Sequence, residues 1–583
     1  MISLLFGPWA PDLQNVAFQM PDQQGPVQVP VADCLNVYYV NGAYKSLNTP
    51  VALSGSPALP VQCLSAFTFE DANGFPIPVA GVGSGTSAAL AWNSATSTWQ
   101  QMLTAITGVS GFNFCQFGGQ LFAQVQYAQA ANATTGNLTQ AIPGEGISPS
   151  YITNASYGTV LGVVGQFVMI GDLCGAQAQT LIGSGAGTFF SGAVPTAQCP
   201  IYPTTVFVDV VGGTGGGSGY DNGQGVITGP GIASGTVNYD TGVVSVTFTT
   251  PTSAGASIFA DSAPAYRARL QWSPIGNANP SGGWPVPLTN AAIAAQSGIN
   301  DLEYAYGPIM AIAGYPLYGL VFQRNAITRA QYIGGNVVFS WQTFSRNLGL
   351  LAKYAWVQVG ANVYFLSDQG WYYTDGANVT PIGTAQDNSA GMDEWFFANV
   401  NRVALGAIRG AYDASSRCAM FSVPTGSNTL PDTLLTYNTI AGRWTRATMA
   451  SEMIWTDSDG STDRIGIFDQ SHRYSLLTGT PNTGYLETCD LEYSDGLTRF
   501  IQGVRPNINC TDTPTAIVGT RDSLESAISY TAAATPDAFG AAFAAPLPPK
   551  ALYTRVRVST AAATGLAGAI NGATVRQSIG GPL

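Results

Sequence analysis

Short runs of apolar residues, each bounded by glycine, proline, asparagine or aspartate, recur along this chain of 583 residues. Val37–Val40 leads into an Asn-Gly pair, and Cys418–Val423 leads into a proline. Runs of this length between turn residues predict β-strands. Helical periodicity is rare, and its short candidates are residues 97–106 and 290–296. We therefore predict an all-β protein.

The clearest repeating unit is residues 354–383, YAWVQVGANVYFLSDQGWYYTDGANVTPIG. It predicts the three strands AWVQV, NVYFLS and GWYYTD, joined by Gly-Ala and Asp-Gln-Gly turns. Val363 and Phe365 alternate in the second strand, and Trp371 and Tyr373 alternate in the third, as expected for half-buried strands. Such a meander makes up most of one propeller blade or one sheet of a sandwich.

Similar meanders are predicted at residues 402–424, 433–444 and 465–477, and their spacing favours a β-propeller over a single sandwich. Two segments depart from this pattern. Residues 206–260 are rich in Gly, Thr and Val and contain the hairpin GTVNYDTGVVSVTF, which indicates a small inserted β domain. From residue 485 onward the chain is predicted to form a separate β module.

The predicted fold class is thus all-β, a β-propeller with a small inserted β domain and a C-terminal β-sandwich-like module. The predicted segments are residues 1–185 and 266–480 for the two parts of the propeller, 186–265 for the insert and 481–583 for the C-terminal module.

Charged residues make up 9% of the chain, and the net charge is -12. Long amphipathic helices need charged residues on their solvent-facing sides, so coiled coils are excluded. The lysines are Lys45, Lys353 and Lys550. So few positive charges argue against a dedicated nucleic-acid-binding protein.

Eight cysteines are spread along the chain, and no two lie within five residues of each other, so no Cys-x-x-Cys metal or redox motif occurs. We predict free, buried thiols, although an even number also permits disulfides. The start of the chain lacks the basic segment of a signal peptide, and the most apolar segment, residues 159–170, is too short to span a bilayer. We expect a protein made in the cytoplasm and not inserted into a membrane.

Several motifs follow one another in a fixed order. They are Trp9-Ala10-Pro11-Asp12, FCQFGGQLFA at 114–123, QWSPI at 271–275, VFQRNAI at 321–327, FLSDQGWYYTDG at 365–376, LTYN at 435–438, and the C-terminal VRP, GTR and YTRVRV. In this order they resemble the tail nozzle or tail hub proteins of short-tailed bacteriophages, a family that carries a β-propeller. The stretch at 365–376 is the most specific of them.

The resemblance implies a structural virion protein without enzymatic activity, cofactor, metal or catalytic residues. It implies a homohexameric ring that continues the DNA-ejection channel below the tail adaptor and portal, with tail fibres or spikes as further partners. Genomic DNA would pass through transiently and without sequence preference. An acidic, lysine-poor lining suits such a passage, because it repels phosphates.

Three clusters are candidates for chemistry. His472, the single histidine, lies close in sequence to Asp469 and Ser471, but no nucleophile elbow accompanies it, and we predict a structural role. Asp457, Asp459 and Asp463 resemble the start of a calcium loop, but the twelfth position is Phe468 and not glutamate, so a solvated hairpin loop is predicted and a weak Ca²⁺ site stays open.

The third cluster is Asp393-Glu394 beside Trp395, the best pairing of acids with an aromatic residue, for which we predict a loop anchored by buried aromatics. Trp371, Tyr372 and Tyr373 could stack on sugars or bases, although about half of them should be core at strand spacing. The glycine-rich runs at 81–85, 183–187 and 212–219 lack the Gly-Lys of a phosphate loop.

Other functions remain open at this point. The main alternative is a receptor-binding or glycan-degrading tail spike, which predicts paired carboxylates in an open pocket. A propeller lectin would have equivalent aromatic pockets in every blade, and the divergent repeats argue against it. A hub in a long-tailed particle is barely distinguishable from a nozzle by sequence.

Overall fold

A computed structural model describes the chain except for residues 12, 14–15, 22–24, 84–86, 105, 107–108, 128–136, 142–149, 385–390, 494–496, 510–513, 536–548, 561–568 and 580–583. Asp12, Cys510 and part of the glycine-rich run at 81–85 therefore lie outside the described residues. The chain forms two compact units. Unit 1 comprises Met1–Ala58 and Tyr354–Leu583, and unit 2 comprises Leu59–Lys353.

The described residues form 48 strands, which confirms the all-β prediction. The first 58 residues contain β1 (Ile2–Trp9), β2 (Ala17–Met20), β3 (Pro26–Leu35), β4 (Val37–Val40), β5 (Ala43–Ser46) and β6 (Val51–Ala52). Unit 2 contains β7 (Cys63–Glu70), β8 (Pro76–Val82), β9 (Ser87–Asn93), β10 (Thr98–Thr104), β11 (Val109–Phe117), β12 (Gln120–Tyr127), β13 (Leu138–Ala141), β14 (Tyr157–Val164), β15 (Phe167–Cys174), β16 (Ala178–Ser184), β17 (Gly187–Ala193), β18 (Phe207–Val211), β19 (Gly219–Asp221), β20 (Ile227–Thr228), β21 (Ile232–Val237), β22 (Val243–Thr252), β23 (Ser257–Ser262), β24 (Ala265–Trp272), β25 (Gly298–Asp301), β26 (Ile309–Gly314), β27 (Tyr318–Gln323), β28 (Ile327–Tyr332) and β29 (Phe339–Ser345).

The remainder of unit 1 contains β30 (Trp356–Val359), β31 (Asn362–Ser367), β32 (Gly370–Thr374), β33 (Val379–Pro381), β34 (Arg409–Asp413), β35 (Cys418–Val423), β36 (Thr433–Asn438), β37 (Arg443–Thr448), β38 (Met453–Ser458), β39 (Asp463–Phe468), β40 (Tyr474–Leu476), β41 (Tyr485–Thr488), β42 (Asp490–Tyr493), β43 (Arg499–Asn509), β44 (Thr515–Arg521), β45 (Ser529–Tyr530), β46 (Lys550–Ala551), β47 (Tyr553–Ser559) and β48 (Ala569–Ile579). The α-helices are α1 (Asn290–Ala294) and α2 (Met392–Asn399), and short 3₁₀ turns lie at Thr196–Gln198, Tyr304–Tyr306 and Arg402–Ala407.

Unit 2 is a series of small antiparallel sheets. Their strand orders are β10-β9-β8-β7, β11-β12-β13, β14-β15-β24-β25 and β26-β27-β28-β29. Neighbouring sheets share apolar cores, one of which includes Val164, Met169, Leu270 and Val321, all nearly inaccessible to solvent. Each sheet alone exposes its apolar faces, so packing against the next sheet is what stabilises it.

The insert is a pair of sheets between β15 and β24. Their strand orders are β16-β23-β18-β19-β20 and β17-β22-β21, and they enclose a core of their own that contains Val208, Val244, Val246 and Ile258. The predicted hairpin at 235–248 is present as β21 and β22. The insert begins earlier than the predicted residue 186, because β16 pairs with β23 from Ala178 onward.

Unit 1 contains three further small sheets, with orders β30-β31-β32-β33, β34-β35-β36-β37 and β38-β39-β40-β6. The three strands predicted in residues 354–383 are confirmed as β30, β31 and β32, as are the strands predicted at 418–423 and 465–468. In the third sheet, the edge strand comes from the beginning of the chain: Val51 pairs with Leu476, and Ala52 pairs with Ser475.

The two ends of the chain form one mixed sheet of thirteen strands, β1 to β5 with β41 to β48. β1 runs parallel to β3 and antiparallel to β48, and β3 pairs with β41. Strands from the beginning of the predicted segment 1–185 thus share a sheet with strands of the predicted segment 481–583. Leu4 and Val29 in β1 and β3 are buried, so the C-terminal strands would lack part of their core without the N-terminal ones.

Two local predictions were wrong. Residues 97–106 do not form a helix, since Thr98–Thr104 is a strand in which Trp99 lies opposite Trp92 with ring centroids 5.3 Å apart. A cross-strand aromatic pair of this kind outweighs weak helical periodicity. Residues 392–399 form helix α2 and not a loop. The helix predicted at 290–296 is confirmed as α1.

The seven described cysteines carry free thiols. Burial raises the pKa of the Cys34 and Cys489 thiols to about 12. Within the described part of the chain, no helix is long and apolar enough to cross a membrane.

Candidate functional site

Several mostly buried aromatic side chains of unit 1 line a pocket of about 560 Å³ at the sheets β30–β33 and β34–β37. Tyr364 lies between Tyr373 and Tyr437, with ring centroids 5.6 and 5.7 Å away. Trp444 lies 4.9 Å from Tyr437, and Trp9 of β1 also lines the pocket. Strand pairing places these rings together, because Tyr364 lies opposite Tyr373 and Tyr437 lies opposite Trp444.

The polar groups of this pocket carry no charge. Asn362, Thr380 and Thr439 contribute to its lining, and the Trp444 Nε1 donates a 2.7 Å hydrogen bond to the Ile382 carbonyl. The Trp9 Nε1 is buried and has no acceptor among the described residues. Burial raises the pKa of the Tyr437 hydroxyl, which therefore stays protonated. The arrangement can hold a neutral ligand with an apolar face and a hydrogen-bond acceptor.

The three aromatic residues that the sequence analysis named, Trp371, Tyr372 and Tyr373, lie in different environments. Trp371 is completely buried and packs 4.3 Å from Phe421, so it belongs to the core. Tyr373 lines the pocket, whereas Tyr372 stacks on Phe365. Alternation in a strand predicts this kind of division, but it does not reveal which side faces a pocket.

Asp393 and Glu394 are separated by their positions on helix α2. Asp393 is buried and its Oδ1 accepts a 2.9 Å hydrogen bond from the Trp371 amide, while Glu394 is exposed. Burial raises the pKa of Asp393 to about 6, although the Trp371 amide partly opposes this. Gly383 lies against the Asp393 carboxyl, since an added Cβ there would come within 1.8 Å of Oδ1. The two carboxylates therefore do not face one cavity as a hydrolytic pair.

His472 pairs with a residue that sequence proximity did not suggest. Its Nδ1 lies 2.7 Å from Oε1 of the buried Glu452. Asp469, the predicted neighbour, accepts hydrogen bonds from the backbone amides of Ser471 and Arg473 and so stabilises the turn. The histidine thus joins a turn to a buried carboxylate.

The predicted hairpin loop at Asp457, Asp459 and Asp463 is confirmed, since it joins β38 to β39. Asp457 is buried and accepts hydrogen bonds from the Tyr474 hydroxyl at 2.6 Å and the Arg464 Nε at 3.0 Å. The Ser461 hydroxyl and the backbone amides that follow lower the pKa of Asp459. The Arg464 guanidinium pairs with the carboxylates of Asp457 and Asp459, so it lies where a calcium ion would have to bind them. In the described ranges, no three His, Cys, Asp or Glu side chains are grouped to hold a metal.

Unit 2 contains a buried ion cluster that no pattern in the sequence predicts. Asp172 is inaccessible to solvent and lies 2.8 Å from both Lys353 Nζ and Arg267 Nε. It also accepts hydrogen bonds from Tyr202 at 3.1 Å and from Thr159. Burial alone would disfavour the charge, but Lys353 and Arg267 outweigh it and lower the pKa of Asp172 to about 2. Tyr202 belongs to the insert, so the cluster anchors the insert to β15.

A second cluster lies within the thirteen-stranded sheet of unit 1. Asp490 pairs with Arg521 and Arg555, and Arg555 also lies 3.2 Å from Glu487. Arg557 lies 2.5 Å from the other oxygen of Glu487. The side chains of Asp490, Glu487, Arg521 and Arg555 are almost fully buried. These ion pairs join β41, β42, β44 and β47, and because they are buried a substrate cannot reach them.

Comparison with known proteins identifies no family. No protein-family profile matches the chain, and neither does any curated protein. Among solved structures, a mitotic checkpoint complex chain is 7% identical with a TM-score of 0.31, covering 79% of this chain and 96% of that one. The dihydro-haem d1 dehydrogenase NirN is 10% identical with a TM-score of 0.26, covering 77% of this chain and 74% of that one.

An arabinoxylan arabinofuranohydrolase of glycoside hydrolase family 43 from Bacillus subtilis is 10% identical with a TM-score of 0.21, covering 88% of this chain and 79% of that one. Similarity at these scores supports no argument about fold or function.

Proposed function

We propose that this chain is a structural subunit of a bacteriophage tail, forming a homohexameric nozzle or hub ring through which DNA leaves the particle. The ordered motifs of the sequence support this proposal, and the strands predicted around the most specific of them are present. The proposed partners are the tail adaptor and portal on one side and tail fibres or spikes at the periphery. The proposed location is the virion tail.

The observation that carries the proposal is the pairing of β6 with β40. Small meander sheets follow one another from β7 to β40, and the strand that completes the last sheet precedes the first one in the chain. We propose that these small antiparallel sheets are blades of a β-propeller.

The charge of the chain supports a conduit. A net charge of -12 per chain leaves little attraction for phosphates, so DNA can pass without being held. In the proposed ring, each subunit would contribute a weakly acidic lining rich in Gly, Ser, Thr and Asn, which likewise attracts phosphates weakly.

Native mass measurement tests the ring. We expect the purified full chain to form, at micromolar concentration, a species with the mass of six copies of the 60.6 kDa chain. A stable monomer in the same measurement contradicts the proposal. A mobility-shift assay with duplex DNA at physiological salt tests the conduit, for which we expect no stable complex.

A second function, a receptor-binding or glycan-degrading spike, is favoured by one observation, the uncharged aromatic pocket of unit 1. It predicts that host polysaccharide fragments bind and that Tyr373→Ala abolishes this binding. Tyr372→Ala is the matched control, because Tyr372 packs on Phe365 in the same strand. Release of reducing sugar by the wild-type chain would favour this function over the conduit.

A further inference from the structure

The insert carries an apolar face that contains two acidic groups, and the insert itself has no basic residue to pair with them. In its five-stranded sheet, Leu181 lies opposite Phe259, which lies opposite Asp209. In the next row, Asp261 lies opposite Phe207, which lies opposite Tyr220. Residues opposite each other on neighbouring strands point to the same side. We call this set the acidic face: Leu181, Phe207, Asp209, Tyr220, Phe259 and Asp261.

The acidic face is the outer side of its sheet. The residues that alternate with it, among them Val208, Ile258 and Ala260, form the core of the insert. Leu181 is 54% exposed, while Phe207 and Phe259 are half-buried and the Phe207 and Tyr220 rings lie 4.3 Å apart. A cluster of aliphatic and aromatic side chains on a sheet surface is typical of a contact with another protein.

Asp209 and Asp261 lie diagonally next to each other within this apolar setting. Burial raises the pKa of both carboxyls, and the charge of Asp209 further raises that of Asp261, although a hydrogen bond with the Gln179 side chain partly opposes this. The Asp209 Oδ1 is buried without a hydrogen-bond donor among the described residues. Both carboxylates therefore gain from a cation that arrives with a partner.

That cation cannot come from the insert. Residues 178–262 contain four aspartates, Asp209, Asp221, Asp240 and Asp261, and no lysine, arginine or histidine. Asp221 is already occupied by the backbone amides of Thr204 and Val206 and by the Tyr239 hydroxyl. The acidic face thus requires a basic and partly apolar surface from another molecule.

Unit 1 carries a surface of this kind at its 3₁₀ turn Arg402–Ala407. The exposed Arg402 lies 5.7 Å above the Phe397 ring and donates a hydrogen bond to the Phe397 carbonyl. No carboxylate of the described residues pairs with it. Val403 beside it is 93% exposed, the most of any large apolar side chain in the described part of the chain. An arginine followed by an exposed aliphatic residue complements two carboxylates among aromatic rings.

We propose that the acidic face of one copy binds the Arg402–Val403 surface of a neighbouring copy. This inference rests on the proposed ring, and it names the contact that joins its subunits. In a ring of identical subunits each interface joins two different surfaces, so one acidic and one basic surface per chain suffice to close it.

The test uses dilution of the full chain, followed by mass photometry, to find the concentration at which the oligomer dissociates. We expect Asp209→Lys and Arg402→Glu, each alone, to raise that concentration about 100-fold, because each places like charges together at a desolvated contact. Asp240→Lys is the matched control, since it makes the same charge change in an exposed turn of the same insert, and it should dissociate like wild type.

An equal mixture of the Asp209→Lys and Arg402→Glu chains provides the decisive measurement. In an alternating ring the introduced lysine meets the introduced glutamate, while native Asp209 meets native Arg402, so we expect the oligomer to re-form. Chains that fail to fold would not re-form it.

Each result has a distinct meaning. A monomeric wild-type chain overturns the proposed ring itself. A wild-type oligomer with Asp209→Lys dissociating like Asp240→Lys overturns the role of the acidic face and leaves the ring intact. Dissociation of both variants without recovery in the mixture overturns Arg402–Val403 as the partner surface.

Discussion

The Asp172 cluster predicts a large and local loss of stability when its charge is removed. Asp172→Asn keeps the size of the side chain, and asparagine tolerates the left-handed backbone at this position, where φ is 57°. The substitution leaves Lys353 and Arg267 without their shared carboxylate. Removing one partner from a buried ion pair costs about 3–5 kcal/mol. Tyr202 also loses its charged acceptor, so the contact between insert and β15 weakens.

Hydrogen exchange measures this loss where it occurs. Amides of β15, Phe167–Cys174, should exchange about a hundred- to several thousandfold faster in Asp172→Asn, because tenfold corresponds to about 1.4 kcal/mol in the opening free energy. Amides of unit 1 should be unaffected. Asp301→Asn is the control, since Asp301 pairs with Arg269 at 2.6 Å but is solvent-exposed, and it should cost about 1 kcal/mol or less. Equal effects of the two substitutions would refute the reasoning.

The same cluster predicts a pH dependence with a defined sign. The pKa of Asp172 falls from 3.8 to about 2 in the fold, since Lys353 and Arg267 outweigh the effect of burial. A lowered carboxyl pKa stabilises the fold above pH 4, and that stabilisation disappears as the pH falls through about 2. Protection of β15 in the wild type should therefore drop between pH 4 and pH 2, and Asp172→Asn should lack this drop.

Three further predictions concern other sites. Burial raises the pKa of Asp393 to about 6, so the stability that the protonated carboxyl gives the fold is present below pH 4 and is lost as the pH rises through 6. This loss is worth about 3 kcal/mol at pH 8. Asp393→Asn should abolish this pH dependence in thermal unfolding of the full chain. Gly314→Ala should destabilise unit 2 by several-fold more than Gly255→Ala in thermal unfolding, because a Cβ at Gly314 would come within 1.4 Å of the Val163 carbonyl oxygen, whereas at Gly255 it meets nothing. Cys115 is buried with a raised pKa, so its thiol should resist a thiol reagent in the native chain and react after unfolding.

The small sheets could be predicted because their signals are local. Asp368 and Gln369 turn the chain between β31 and β32, as predicted, but the predicted alternation is absent from β31, which is buried on both faces from Val363 to Ser367. The hairpin of the insert was predictable from Tyr239 to Gly242 for the same reason. In each case the residues that determine the structure lie within about ten positions of each other.

The pairing of the chain ends could not be predicted in this way. Val51 and Leu476 pair across more than four hundred residues, and neither has a neighbour that indicates its partner. The Asp172 cluster is equally non-local, since Arg267 and Lys353 come from later strands and loops. Helix α2 was missed because Asp393 and Glu394 were predicted to lie in a loop, whereas acidic residues in a first helical turn favour helix formation.

The placement of the ions links stability to assembly. Each buried carboxylate of the two clusters, such as Asp172 and Asp490, is matched by two basic side chains, so these clusters use basic residues that are few in this chain. The insert contains no basic residue of its own, so nothing within it offsets the charge of its acidic face. If that charge is neutralised by a neighbouring copy, the contact is electrostatic as well as apolar. Salt then weakens its charged component while the buried clusters, which are screened far less, keep each subunit folded. High salt should thus dissociate subunits before it unfolds them.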